Sequence, residues 1–403
     1  MKVVIVGNGP AGITAAKTIR ELNPDSEIVV YSKEPHSYYF RPKLPDLLGG
    51  SIESSEIYAY SEDWYRNRTI DVRLGTTVTE ISPLEKALVV ETGERVSYDK
   101  LLLATGSHSF VPPIMGVGRP GVFTLRTIDD AVGIKGYAKG RTKAIVIGGG
   151  LLGLEASRGL RSLGLEVTVV EFFPRLLPRQ LDEEGASLLR TKIEEMGIRV
   201  QLSAESEQIE GDGGVSGLLL RDGRRIEGEL VLISAGIRAH AELAERAGIA
   251  VNKGILVDEH MRTGTEDVYA AGDVAEFRGT MWGIIPAAID QAKVAAANIA
   301  GRTDVTYEGT VPYTTLKVVG VDLTSIGVVA PEGEGFKEVR AVNPRKGIYK
   351  KLVLREGRIV GAIFLGDRKD VTPVNKLITG RVNVAKHTAH LLDEHFDLRT
   401  LTS

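Results

Sequence analysis

Two short glycine patterns carry the clearest chemistry in this chain: Gly7-x-Gly9-x-x-Gly12 and Gly148-x-Gly150-x-x-Gly153. Each follows a β-branched run, Val3-Val4-Ile5-Val6 in the first copy and Ala144-Ile145-Val146-Ile147 in the second. Each then opens an alanine- or leucine-rich stretch that reads as a helix, beginning Pro10-Ala11-Gly12 and Leu151-Leu152-Gly153. In that setting the first glycine makes a tight turn, the second lets the backbone approach a pyrophosphate, and the third lets helix and strand pack closely. The helix dipole adds only about 0.3–1 kcal/mol at such a site, so fit and hydrogen bonding must supply the rest. One such motif is weak, because glycine turns occur in many folds; two in the same context point to two dinucleotide sites.

An acid is expected after the second strand of each unit, to hold the adenosine ribose hydroxyls. In the second unit it is Glu171, directly after Val169-Val170. A carboxylate there repels a 2′-phosphate, so NADH is favoured over NADPH, although Arg175, four residues on, could soften the preference. In the first unit the strand is followed by Ser32, and the nearest acid is Glu34; an exposed loop glutamate is the alternative reading.

The elements that must position these groups form a long-range repeat. The segments Glu27 to Tyr31 and Glu166 to Val170 supply the second strands of the two units. Buried-strand runs ending at glycine close them: Leu101-Leu102-Leu103-Ala104-Thr105-Gly106 and Leu230-Val231-Leu232-Ile233-Ser234-Ala235-Gly236. This predicts an α/β fold of two doubly wound dinucleotide-binding domains, the second inserted in the first. The first takes residues 1–110 and 241–310, and the second takes 111–240. Val268 to Asp273 reads as a last strand of the first domain, and Pro286 to Ala300 as its helix. From about Val311 the chain changes character, and a small α+β domain is expected over 311–403. Strands are predicted at Thr315 to Val321, Lys350 to Arg355 and Ile359 to Leu365, with a hairpin turn at Glu356-Gly357-Arg358 and a closing helix from Val384 to His395.

Composition narrows the chemistry. With 403 residues, 43% hydrophobic and 26% charged, the chain reads as a globular protein of two to three domains. The net charge of −3 gives no sign of a nucleic-acid or anionic-membrane partner, and no apolar run approaches a membrane span. Met1 and Lys2 run straight into a strand, so no leader peptide and a cytoplasmic address are expected. The cysteine count is zero, which excludes from this chain disulfides, thiolate-held iron–sulfur clusters, thiolate zinc and a redox-active thiol.

Gly7 to Gly12, Ala104-Thr105-Gly106, Gly148 to Gly153 and Thr265-x-Asp267-Val268-Tyr269-Ala270-Ala271-Gly272-Asp273 occur in that order. Across nearly its whole length the chain thereby resembles the pyridine-nucleotide-dependent FAD oxidoreductases of the glutathione-reductase structural type. Within them, Tyr38-Tyr39-Phe40-Arg41-Pro42-Lys43-Leu44 is similar to NADH:rubredoxin oxidoreductases and to the flavin module of NADH-dependent nitrite reductases. Leu316 to Asp322 and Gly361 to Asp367 are similar to the latter. The resemblance implies FAD in the first domain and NADH in the second. It places Gly272 and Asp273 at the ribityl or pyrophosphate, and Thr77 and Val78 at the adenine through backbone. It also puts Arg126 near the flavin and Glu155 against the nicotinamide, and adds Pro42, Ile285 and Gly236 to the cofactor neighbours. The cysteine that disulfide-reducing relatives carry near residue 40 is missing, as are siroheme and iron–sulfur modules, so thiol chemistry and a complete nitrite reductase are excluded.

A flavin takes a hydride from nicotinamide and returns electrons singly, leaving orientation, potential and access to the protein. Glu155 is read in the first turn of the second nucleotide helix, with dipole stabilisation of a carboxylate as the alternative to its cofactor role. Arg41 and Lys43 would place positive charge at the isoalloxazine or pyrophosphate, against a solvated loop as the alternative. Lys317 is placed near the flavin ring by resemblance, against an exposed strand lysine. His387, His390 and Glu394 at i, i+3, i+7 read as a polar helix face, and no metal site is expected. The leading expectation is an NADH-dependent reductase feeding a small redox protein such as rubredoxin. The basic stretch Arg340 to Arg358, with seven basic residues and one acid, would steer an acidic carrier. Alternatives are an NADH oxidase or quinone reductase, a flavoprotein subunit of a larger dehydrogenase, and a non-catalytic NADH-sensing flavoprotein.

Overall fold

The computed structural model describes residues 1–318 and 320–402, and the side chains of all of these except 316–318. The chain folds as two compact units. One comprises Met1–Arg41, Ser54–Phe110 and Ile237–Thr310; the other comprises Pro42–Glu53, Val111–Gly236 and the remainder from Val311.

The first unit is built on a five-stranded parallel sheet. Lys2–Val6 lies in the middle, flanked by Glu27–Ser32 and then Ile70–Leu74 on one side, and by Lys100–Leu103 and then Val268–Ala270 on the other. Val3, Val4 and Ile5 are fully buried, as continuous apolar runs must be when helices or loops cover both faces. Each such side chain contributes about 1.5–3 kcal/mol by leaving water. The helices Pro10–Leu22 and Ile285–Ile299 pack through small residues, with Ala11, Ala15 and Ala16 in one core with Ala288, Ala292 and Ala295. Small side chains let two helices approach closely enough for the loops before them to share a site.

The second unit repeats the plan. Lys143–Ile147 is central, with Glu166–Val170 and Ile198–Gln201 on one side and Leu230–Ile233 and Val122–Phe123 on the other, all parallel. Each sheet is accompanied by a three-stranded antiparallel meander, Val78–Ser82 to Arg95–Ser97 in the first and Ser206–Glu210 to Arg225–Glu227 in the second. In both sheets the strand order reverses at the central strand, so both have a switch point at its C-terminal end, where the glycines stand.

The second unit also holds a five-stranded antiparallel sheet, in the order Tyr313–Val318, Val321–Gly327, Arg358–Leu365, Ile348–Arg355, Phe336–Asn343. The turn expected at Glu356-Gly357 has two residues, both at positive φ (+51° and +74°), which is the twist a two-residue hairpin requires. The predicted strand from Thr315 to Val321 includes Val319, which lies outside the described residues. On either side of it Tyr313–Val318 and Val321–Gly327 pair as two antiparallel strands.

The closing helix is a correction. Val384 to His395 holds only the 3-10 segment Ala385–His390, and the α-helix of this domain is Val371–Thr379. That helix buries Val371, Val374, Leu377 and Ile378, spaced along one helical face, against the sheet. With no α-helix over 384–395, the shared face proposed for His387, His390 and Glu394 does not exist. His390 instead pairs with Asp393 at 2.7 Å, and the His387 ring lies against Phe396.

Candidate functional site

The two glycine turns have the same geometry. Gly7 N–H donates to the Tyr31 carbonyl and Ala104 N–H to the Val6 carbonyl; Gly148 N–H donates to Val170 and Ser234 N–H to Ile147, all at 2.8 Å. Gly7 and Gly148 have φ of +119° and +114°, where a side chain would be strained. A Cβ on Gly12 would overlap the Gly7 carbonyl oxygen, and one on Gly153 would overlap that of Gly148. The first helical hydrogen bonds are Ile13 N–H to Gly9 and Leu154 N–H to Gly150, so the amides before them have no intrahelical acceptor.

Neither nucleotide helix has a side-chain cap or an acid in its first turn. The other long helices of the second unit differ. Ile128–Ala138 is closed by a capping box between Thr127 and Asp130, and Glu183–Glu195 by Asp182, with acids in both first turns. Two helix starts that follow a glycine turn and have neither a side-chain cap nor a first-turn acid fit a pyrophosphate at each.

In the first unit the candidate residues converge. A Cβ on Gly272 (φ +90°) would stand 3.0 Å from that of Ala11, so Gly272 passes directly over the first turn of the helix. Asp273 follows and accepts from Ser107 Oγ at 2.7 Å, and Gly272 N–H donates to Gln291 at 2.8 Å. Ile285 opens the helix Ile285–Ile299 that packs here. Thr105 Oγ1 donates to the His240 carbonyl at 2.7 Å, and Gly106 takes φ +70°. Asn8, in the glycine turn, is 9% exposed; its Oδ1 accepts from Tyr65 at 3.2 Å while its Nδ2 is buried with no protein acceptor. Nearest to the outer side of Gly9 is Arg41 Nη1, 3.5 Å from where a Cβ would be. A guanidinium and an unmatched amide donor at a glycine turn fit the charge and hydrogen-bonding of FAD's pyrophosphate.

Glu34 accepts from Arg41 and from Tyr39, each at 2.5 Å. Burial first, and the Glu34 carboxylate against the opposing charge of Arg41, push the Tyr39 phenol well above its ordinary value, so it remains a donor at any ordinary pH. Thr77 N–H donates to the Glu91 carboxylate, and Val78 opens the meander paired with Val90.

In the second unit Glu171 is 6% exposed. Its Oε2 accepts from Gly149 N–H at 2.6 Å and its Oε1 from Phe173 N–H at 2.8 Å, which holds the carboxylate against the glycine turn. Gly149 has no room for a side chain, because a Cβ would come within 2.6 Å of Leu176. Glu155 needs a correction: its helix begins at Leu151, so Glu155 stands past the first turn and the helix N-terminus does not account for it. It pairs instead with Arg158 at 2.9 Å, which also reaches Asp46 at 2.5 Å on the short helix Leu44–Gly49. Lys43 is exposed in the 3-10 turn Arg41–Lys43, Pro42 lies between it and Arg41, and Gly236 (φ +105°) ends the unit's nucleotide segment. Arg126 donates its backbone N–H to Asp130 at 2.8 Å, at the mouth of the capping box. Lys317 is on strand Tyr313–Val318 in register with Asp322; its side chain lies outside the described residues.

The basic stretch is less available than its composition suggests. Lys350 is held by Asp367 and Asp370 at 2.7 and 2.9 Å, Lys351 by Glu338 and Asp182 at 2.7 and 3.0 Å, and Arg340 by Glu338 and Glu184. Arg345, Lys346, Arg355 and Arg358 remain on the surface. Among the described residues no helix is long and apolar enough to cross a membrane.

The profile of the pyridine nucleotide-disulphide oxidoreductase family matches residues 1–298, and that of the rubredoxin NAD+ reductase C-terminal domain matches 312–382. The chain belongs to the pyridine nucleotide-disulphide oxidoreductase family, that of FAD-dependent NAD(P)H oxidoreductases. It is 38% identical to a nitrite reductase [NAD(P)H] of Bacillus subtilis, over 96% of this chain and 48% of that one. It is 31% identical to the NADH-rubredoxin oxidoreductase of Clostridium acetobutylicum, over 94% of both. Among solved structures, a ferredoxin reductase of Rhodopseudomonas palustris superposes with a TM-score of 0.91 at 25% identity, covering 100% of both chains. The chain spans about half the length of the nitrite and nitrate reductase relatives it matches.

Proposed function

We propose that this protein is an NADH-dependent flavoprotein reductase that passes electrons directly from FAD to a small redox protein of the rubredoxin type. The observation that carries this reading is a chain without cysteine whose C-terminal domain matches that of rubredoxin NAD+ reductases. With no thiol to relay them, electrons must leave the flavin itself. Residues 1–110 with 241–310 would hold FAD, 111–240 the nicotinamide dinucleotide, and 311–403 would face the carrier. Gly7, Gly9, Gly12, Arg41 and Asp273 would hold the flavin nucleotide, and Gly148, Gly150, Gly153 and Glu171 the NADH. A cytoplasmic setting goes with this role. Anaerobic stopped-flow mixing tests it: fast bleaching of the flavin by NADH, then salt-dependent reduction of rubredoxin. Fast flavin reduction with no transfer to any carrier would overturn the acceptor.

Preference for NADH over NADPH is assigned to Glu171. Hydrogen bonds to a charged group contribute about 1.5–3 kcal/mol. Glu171→Ala should therefore lower kcat/KM for NADH by about 10- to 100-fold while leaving NADPH little changed. An unaltered ratio of the two would remove Glu171 from this role.

A second reading is favoured by the coverage of the longer relatives: the chain is the electron-entry module of a larger reductase. In that case reduction by NADH is fast, free carriers are ignored, and electrons leave only to a co-purifying subunit.

A further inference from the structure

His108 meets His240 and Glu242 in the first unit although it lies far from them in the sequence. One ligand atom from each lies within 4.8 Å of the others. The fold explains the meeting. Ser107–Ser109 and Ile237–Ala239 form a two-stranded antiparallel ribbon in which His108 is directly opposite Arg238. His240 is two residues beyond Arg238, which places it diagonally across the same face as His108. The two imidazole rings are 4.7 Å apart between centroids. Glu242 opens the next turn, with its Oε2 3.9 Å from His240 Nδ1.

Two further observations favour a ligand here. His108 Nδ1 is buried and has no protein hydrogen-bond partner, a costly arrangement for an imidazole unless something else meets it. Arg238, directly opposite His108 in the ribbon, is stacked on Phe110 with its guanidinium carbon 4.0 Å from the ring centroid. The ribbon itself is firmly held: His240 N–H donates to the Gly106 carbonyl at 2.9 Å, and the His240 carbonyl accepts from Thr105.

We propose that His108, His240 and Glu242 form a binding site for a divalent transition-metal ion of the zinc class. Two imidazoles and one carboxylate are a ligand set that zinc accepts with tetrahedral geometry, leaving its fourth position to water. His240 and Glu242 are exposed and can close on the ion by rotation about their side-chain bonds. The ion ties the strand through which the chain leaves the first unit to the strand through which it returns, beside Ser107 and Asp273.

The test is a Zn²⁺ titration of the full-length, FAD-loaded protein, stripped with a chelator and read against a chromophoric zinc indicator. One equivalent should bind, with at least tenfold weaker affinity in His240→Ala and a smaller loss in Glu242→Gln. The pair His387→Ala and His390→Ala should bind as the parent does. Flavin content, unchanged in each variant, reports that the fold is intact; if His240→Ala loses flavin, the decision rests on Glu242→Gln. The site is overturned if Glu242→Gln and His240→Ala bind zinc like the parent, or if the loss falls on the His387 and His390 variants instead.

Discussion

With valine in place of Gly153, the protein keeps its flavin but loses reduction by NADH. A Cβ at this position overlaps the Gly148 carbonyl oxygen, which is backbone and cannot swing aside. The helix must therefore move off the strand end, and the amides that would receive the NADH pyrophosphate move with it. A drop of at least about 100-fold in the rate of flavin reduction at fixed NADH is expected, or about 2.7 kcal/mol. Flavin absorbance per chain should be unchanged, because the first unit has its own sheet and core. Chemical reduction by dithionite should proceed as before. The same replacement at Gly12 should have the reciprocal effect and leave a protein without flavin. If Gly153→Val is reduced by NADH at the parent rate, the second glycine turn does not bind the reductant.

Lys351→Met should lower the stability of the second unit by about 3 kcal/mol. Lys351 is 2% exposed and its ammonium is shared by Asp182 and Glu338. Removing one partner from a buried ionic network costs about 3–5 kcal/mol, because the opposite charges stay behind. The low end applies here: the Asp182 and Glu338 side chains keep 13% and 27% exposure, and Asp182 also accepts from Tyr349 and from Gly185 N–H. Burial alone would raise both carboxyls, but hydrogen bonds from Tyr349, Gly185 and Lys351 hold Asp182 below its ordinary value, and those from Lys351 and Arg340 do the same for Glu338. Depressed carboxyls stabilise the fold above about pH 4, the range of the unfolded groups, and that contribution is lost as pH falls through the lower folded values. The deficit of Lys351→Met should therefore be full at pH 7 and shrink below about pH 4. Calorimetric scans at both pH values would show it; an unchanged transition at pH 7 would mean the ammonium stabilises nothing.

The nucleotide turns were legible because their chemistry imposes geometry on consecutive residues. A backbone that must turn at φ +119° and pass within contact of a helix leaves glycine in the sequence at fixed spacing. Glu171 was legible for a similar reason, since it directly follows a strand. Glu155 was set too near the helix start: the helix opens at Leu151, as the glycine turn implies, and Glu155 lies just past its first turn. Part of the basic stretch is turned inward: alternation along Ile348–Arg355 buries Lys351, and its acid partners come from Asp182 and Glu338, outside the stretch. The helix Val371–Thr379 went unseen because Pro373 stands inside its first turn, a position proline tolerates, while the more polar segment after it held the histidines that drew the reading. Asn8, Ser107, His108 and His240 are single polar residues whose partners are set by the fold, and no local spacing announces them.

The ribbon of Ser107–Ser109 and Ile237–Ala239 has one more consequence. The long segment between them starts and finishes at neighbouring strands, about 4.8 Å apart. In polymer terms it is a loop pinched shut at its base. The entropy of bringing its ends together is settled by the ribbon and grows only slowly with the length of chain inserted. That segment can lengthen, shorten or be exchanged for another with the same end spacing, and the register of the sheet that begins at Lys2 need not change.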